Sequence, residues 1–450
     1  MKVASTHNGL GAGAQHDALF SRQSRLQRML DFESALARAE AQCGVIPFPA
    51  AEVIASCCKA ELFDGEALER EASLAGNLAI PLVRQLTRLV AERDREAAGY
   101  VHWGATSQDA IDTGMVLEMR DALAAMETRL RRLCGVLTDL TTRHRASIMP
   151  GRTWLQHAVP VTFGLKTAGW LDACLRHRQR LTGLRERVLS LQFGGAAGTL
   201  ASLGDQGDRV AAALAEELEL ELPLMPWHTH RDRIAEAGAW CALVVGTLGK
   251  IARDLALSMQ TEVGELIEAG GEGRGGSSTM PQKRNPVAAV DVLAAATRLP
   301  GLVGTLFAAM VQEHERALGG WQAEWEILPE IFTLSAHALS RMTDALSELE
   351  VHTEIMKANL EAAGGLLLAE AASMALARSK GRAEAHQIVE AASRQAIAEK
   401  KTLREILERS PETAGVFSPT QLDSIFDPAQ YLGATQAMID RVLARYSEMQ

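Results

Sequence analysis

Most of this chain is written in long helical patterns, and helices of that length bury their apolar stripes only by packing on one another. Leu19–Gln42 sets Leu26, Met29, Leu30, Phe32 and Leu36 at helical spacing and ends at Gly44, ahead of Pro47 and Pro49. Met115–His144 predicts an amphipathic helix. Others are expected from Gly164 to about Ser190, over Arg231–Glu268, from Val287 to about Glu315, and over Glu326–Leu360. Aromatics are only 4% of the residues, Ala and Leu dominate, and runs rich in Val, Ile, Thr or Tyr are few, so sheet is not expected. An all-α extended bundle follows. Its expected parts are an N-terminal helical domain (1–110), a central long-helix domain (111–360) with a loop at 270–286, and a helical C-terminal domain (361–450). Gly364-Gly365 marks the last boundary, and Pro411, Pro419 and Pro428 punctuate the end.

The net charge of −10 argues against nucleic acid or anionic lipid as a partner, so an anionic ligand would need a locally basic pocket. The six cysteines form no Cys-x-x-Cys pair and no metal-ligand spacing, which predicts buried thiols in a reducing cytoplasm. Met1–His16 has no apolar run of signal-peptide length, and Ala237–Ala252 reads as too short to span a bilayer. His228-x-His230 lacks a third ligand nearby and reads as a surface turn, so no metal is expected. Arg22, Arg25 and Arg28 share one helix face, either as a solvated basic face or with Arg22 or Arg25 reaching an anion site.

Three polar, glycine-bearing stretches interrupt the helices. The most informative is Gly270–Pro286, GGEGRGGSSTMPQKRNP, where five glycines between 270 and 276 exclude a helix interior. Ser277, Ser278, Met280, Lys283, Arg284 and Asn285 follow closely. That composition suits a loop closing over an anion with donors and a proton carrier. A P-loop is excluded, because no Lys stands beside the Ser and no strand precedes it. The second, Tyr100–Thr113 (YVHWGATSQDAIDT), puts Thr106, Ser107 and Gln108 near a helix start, where free N–H groups favour a carboxylate. Plain N-capping would account for one hydroxyl, but not for Thr-Ser-Gln with His102 and Trp103 alongside. The third is Gly151–Gly164, GRTWLQHAVPVTFG.

The string Gly276-Ser-Ser-Thr-Met-Pro-Gln-Lys-Arg-Asn-Pro286 resembles the signature of the fumarase/aspartase superfamily, Gly-Ser-Ser-x-Met-Pro-x-Lys-x-Asn-Pro, with every fixed position filled. The other two stretches match the superfamily's remaining regions, so the resemblance covers nearly the whole length. It implies a homotetramer with a twenty-helix core and active sites each assembled from three subunits. The implied chemistry removes a proton next to a carboxylate and eliminates a neighbouring group, or runs in reverse, through an aci-carboxylate. By resemblance, Ser277 carries the proton, Lys283 and Asn285 steady the carboxylate, and Thr106, Ser107 and Gln156 bind substrate carboxylates. Gln108, Thr153, Trp154, Ser278, Met280 and Arg316 complete the substrate-binding set, and His102 matches a functional histidine. No metal or organic cofactor is implied.

The second region separates the members. Adenylosuccinate lyases read Arg-Thr-His-x-Gln-His-Ala there, with the first histidine as acid or base. Here the frame is Arg152-Thr153-Trp154-Leu155-Gln156-His157-Ala158, and an indole does not exchange protons near neutral pH. The combination is similar to a lactone-forming branch of the superfamily, in which a tricarboxylate attacks its own alkene and no leaving amine needs a proton. Lys283, Arg316 and Arg284 would balance three carboxylates, although Arg316 could instead pair with Glu313. Trp103, Trp154, Trp321 and Trp325 lie in or near the three regions, whereas Trp170 and Trp240 are expected in the core. The rivals are a fumarate-releasing lyase acting on a succinyl-nucleotide or similar adduct, and a catalytically silent structural protein on this scaffold.

Overall fold

The computed structural model describes residues 19–269, 275–276, 279–280 and 282–450. In chain order the helices of the first part are α1 (Arg22–Gln42), α2 (Phe48–Cys57), α3 (Gly65–Ala75), α4 (Ala79–Arg93) and α5 (Ser107–Arg143). A hairpin of β1 (Ile148–Thr153) and β2 (Gln156–Thr162) leads into α6 (Phe163–Val188), α7 (Gly207–Leu218) and α8 (Asp232–Ser258). Then follow β3 (Leu266–Ile267), α9 (Val287–Ala309), α10 (Gly320–Ser347), β4 (Glu350–Val351) and α11 (Thr353–Ala362). Shorter helices, including α12 (Ala369–Lys380) and α13 (Arg382–Glu399), complete the C-terminal region. The all-α expectation holds.

The chain divides into two compact units. One comprises Met1–Leu130, His177–Leu248 and Ala294–Arg341; the other comprises Arg131–Arg176, Gly249–Leu293 and Met342–Gln450. In the first unit α1 begins at Ser21, whose hydroxyl accepts from Ser24 N. Its Leu26, Met29, Leu30, Phe32 and Leu36 are all buried, as their spacing predicts. Burial of each such side chain contributes about 1.5–3 kcal/mol. In the second unit Ala372 and Leu376 on α12 and Val389 on α13 form a core with Leu403 and Ile406 of the next helix, Leu403–Arg409.

Several expectations are corrected. The third stretch is a β-hairpin, not a simple break between helices, because Val159 and Val161, two apart on one face of β2, suit a pleated surface. The helix predicted over Arg231–Glu268 stops at Ser258, and the one from Val287 stops at Ala309. The last long helix starts at Gly320 and ends at Ser347, before β4. Ala237–Ala252 is part of α8, which at 27 residues is long and apolar enough to cross a membrane, as is α9. Within α9 only 33% of the most apolar window is buried, against 61% in α8. Trp170 and Trp240 are buried, as expected.

Candidate active site

The second polar stretch gathers around one guanidinium. Arg316 donates to Thr106 Oγ1 (2.6 Å), Ser107 Oγ (3.2 Å) and Gln108 Oε1 (3.3 Å). Thr106 and Ser107 are therefore not spent on capping α5. Asp109 takes over that work, its Oδ2 accepting from Thr106 N at 3.0 Å. The pairing of Arg316 with Glu313 does not form; Glu313 instead accepts from Leu318 N. The structure thus brings together four of the residues the sequence singled out.

A buried polar layer fixes this cluster. Asp109, fully buried, also accepts from Gly194 N, Gly195 N, Gln192 Nε2 and His228 Nε2 at 2.8–3.1 Å. The glycine-rich bend is thereby tied to the start of α5. A side chain at Gly195, whose φ is +66°, would meet Gly104 O at 2.9 Å, so the two segments touch through bare backbone. His228 does lie in a turn, but it is buried and not on the surface, because Asp109 and the carbonyl bond to Gln108 Nε2 hold it inside. One layer deeper, Arg231 bridges Asp112 and Glu324, and Trp321 Nε1 donates to Asp112 at 2.9 Å. All four are buried. Burial alone would favour a neutral Arg231, but the two carboxylates hold it firmly charged.

His102 stands four residues before Thr106 with φ +56°, a left-handed conformation uncommon for a non-glycine residue. Its Nδ1 lies 2.6 Å from Glu33 Oε1 on α1. Burial lowers the imidazole, but the Glu33 charge and hydrogen bond, with Asp109, outweigh it and raise the ring above its ordinary 6.5. Of the arginine face on α1, Arg22 pairs with Glu69 and Arg28 with Asp31 and Asp121. Arg25 reaches the Trp325 carbonyl and lines a cavity of about 70 Å³ with Glu118.

In the second unit, β1 and β2 pair Thr153 with Gln156, so Trp154 and Leu155 form a two-residue turn. Both have positive φ, +52° and +63°, as that turn requires, although Asn-Gly would suit it far better. Trp154 is 97% exposed at the tip. The hairpin is anchored by Arg152, which grips the buried Glu265 through two bonds of 2.7 and 2.8 Å; Asn359 on α11 donates to the same carboxylate. Glu268 caps α9 by accepting from Ala288 N and Ala289 N. Asn285 N donates to Gly275 O, and Asn285 Nδ2 to Gly276 O at 3.4 Å. Lys283 and Met280 are exposed, and Arg284 pairs with Glu350. Ser277 and Ser278 lie outside the described residues. Among the described residues, no group of three His, Cys, Asp or Glu side chains is placed to hold a metal ion.

A family model described as lyase matches residues 14–301, and one described as the adenylosuccinate lyase C-terminus matches 365–442. The chain is 56% identical to a 3-carboxy-cis,cis-muconate cycloisomerase of Pseudomonas aeruginosa, over 95% of this chain and 94% of that one. A counterpart in Acinetobacter baylyi is 49% identical over 94% and 95%. The crystal structure of the 3-carboxy-cis,cis-muconate lactonizing enzyme from Pseudomonas putida superposes with a TM-score of 0.91 at 49% identity, covering 97% of both chains. The chain belongs to the lyase family, among its 3-carboxy-cis,cis-muconate cycloisomerases.

Membership in the cycloisomerases bears out the superfamily resemblance read from the three stretches. Sequence reasoning missed most of the residues that support them: Glu33, Asp112, Gln192, Arg231, Glu265 and Glu324. Asp109 and Asp112 left a trace, as charges three apart at the start of an amphipathic helix. Arg231 and Glu265 left none, because each looks like an ordinary surface charge until its partner is known.

Proposed function

We propose that the protein is a cofactor-independent isomerase that converts 3-carboxy-cis,cis-muconate to 4-carboxymuconolactone, in protocatechuate breakdown by the β-ketoadipate route. One carboxylate attacks an alkene carbon of the same molecule, forming the ring C–O bond. The alkene electron pair moves onto the neighbouring carbon and into its carboxylate, as an aci-carboxylate. Ser277 delivers the proton to that carbon and is reprotonated from solvent. Lys283 and Asn285 meet the charge as it develops, the kind of term worth several kcal/mol in a closed site. Arg316, Thr106, Ser107 and Gln108 hold one carboxylate, with His102 nearby in sequence. Thr153, Trp154 and Gln156 on the hairpin, and Ser278 and Met280 on the loop, enclose the rest.

The observation that carries this reading is the indole at position 154. It stands fully exposed at a turn built to present it, in the frame where adenylosuccinate lyases place an acid–base histidine. A cycloisomerisation has no leaving amine to protonate and needs no such group. The apolar surface left open on α9, with Val290 57% and Phe307 52% exposed, supports burial against further copies of the chain, and the superfamily resemblance implies a homotetramer whose sites draw on three subunits. A cytoplasmic enzyme in three parts, 1–110, 111–360 and 361–450, fits the same reading.

The test is direct. The purified protein should remove the diene absorbance of 3-carboxy-cis,cis-muconate without added metal, and Ser277→Ala should abolish the activity. Activity surviving in Ser277→Ala would remove the proton carrier. The match of residues 365–442 to an adenylosuccinate lyase C-terminus keeps the fumarate-releasing reading in view. Fumarate formed from adenylosuccinate would establish it instead.

A further inference from the structure

Glu33 belongs to none of the three polar stretches. It sits on α1 with its side chain 1% exposed, one oxygen on His102 Nδ1 and the other, Oε2, without a hydrogen-bond partner. A carboxylate so enclosed is costly unless a positive charge answers it. The charged and titratable groups around the pair are mostly acidic. Glu40 and Asp31 lie on the same helix, Asp109 faces from α5 and is itself bonded to His228, and the Cys58 thiol, close to Glu33, is pushed up chiefly by burial. Arg38 is the nearby cation, and it pairs with Glu217. The ring of His102 is thus the group in bonding reach that can carry the balancing charge. It is also held in a left-handed backbone conformation, costing roughly 1–2 kcal/mol, which persists only where its surroundings enforce it.

We propose that Glu33 is a positioning residue: through Nδ1 it fixes the His102 ring and keeps it an imidazolium, so that Nε2–H serves as a charged donor to a substrate carboxylate. This rests on the reading above that His102 belongs to the muconate site. It gives that histidine a task in a reaction that asks no histidine to move a proton. An imidazolium adds positive charge four residues ahead of Thr106, where the cluster around Arg316 begins, and a tricarboxylate has charge to spare.

The pH dependence of kcat and KM separates this from a structural role. His102 is raised, so its charge is complete at low pH and is lost as pH rises through the raised value. In the wild type, kcat/KM should fall along an alkaline limb that His102→Asn abolishes. Glu33→Gln should move that limb about one pH unit lower and raise KM at pH 8 about tenfold, with little change in kcat. Glu33→Asp should recover part of the shift. A limb that stays in place in Glu33→Gln, or an equal loss of kcat at every pH, overturns the proposal. Ring titration by NMR, assigned with His102→Asn in the full-length protein, needs no turnover. A wild-type midpoint at or below 6.5 overturns the proposal as well. The two failures are distinguishable: no lactone formed by the wild type refutes the functional reading, whereas lactone formed with an unmoved limb refutes the role of Glu33.

Discussion

Arg316 Nη1 donates to Thr106 Oγ1 at 2.6 Å across 210 residues of chain. The other arms of the guanidinium reach Ser107 and Gln108, so one side chain organises the whole polar start of α5. A fork with three addresses is a geometry that an ammonium group cannot reproduce.

Arg316→Lys should therefore retain the charge and lose the arrangement. KM for 3-carboxy-cis,cis-muconate is expected to rise about tenfold or more, with a smaller effect on kcat. Steady-state rates from the loss of diene absorbance would show this; unchanged KM would mean that the cluster does not bind substrate.

Arg231 makes a different prediction, because its environment is closed. Replacing it with Met leaves Asp112 and Glu324 buried without their counter-charge, although Trp321 and Gln108 still donate to Asp112. Breaking such a pair from one side costs roughly 3–5 kcal/mol. Denaturant unfolding at neutral pH should register a loss of that size, and a loss below about 1 kcal/mol would show that the network relaxes around the deletion.

At the hairpin tip, stability and function should part. Trp154→Asn with Leu155→Gly supplies residues that accept positive φ, and should stabilise the turn by about 1 kcal/mol. The same double variant removes the indole that we propose faces the muconate, and should lose most of the activity. Parallel thermal unfolding and rate measurements decide the matter; a variant both more stable and fully active would take Trp154 out of the site.

Glu40 is buried, both its oxygens lack hydrogen-bond partners, and burial first, then Glu33, pushes its carboxyl up to about 9. The folded state thus holds the proton that the unfolded chain releases above about 4.5. Its contribution to stability is complete below that lower value and is lost as pH climbs toward 9. Glu40→Gln should gain roughly 2 kcal/mol or more over the wild type at pH 8 and little at pH 4.5. Equal unfolding midpoints for the two proteins across that range would exclude it.

The long helices and the three polar stretches were legible because both are local. Helical spacing in Leu26–Leu36 and glycine density at 270–276 need no knowledge of distant segments. The hairpin at 148–162 was less so: Pro150 and Gly151 read as a break, and only its pairing register, with Trp154 and Leu155 forced to positive φ, reveals a turn. His228 was misread for a related reason, since nothing near it in sequence announces Asp109.

Residue order alone was enough for the all-α fold class, for the three polar stretches that carry the superfamily resemblance, and for the indole at position 154. Tertiary packing chose the partner of each charge: Glu33 with His102, Arg231 with Asp112 and Glu324, Arg316 with the hydroxyls of Thr106 and Ser107. Periodicity and turn chemistry act over a few residues. The partner of a buried charge is chosen by how helices far apart in the chain pack, and by the cost of leaving either group alone in a medium that cannot solvate it.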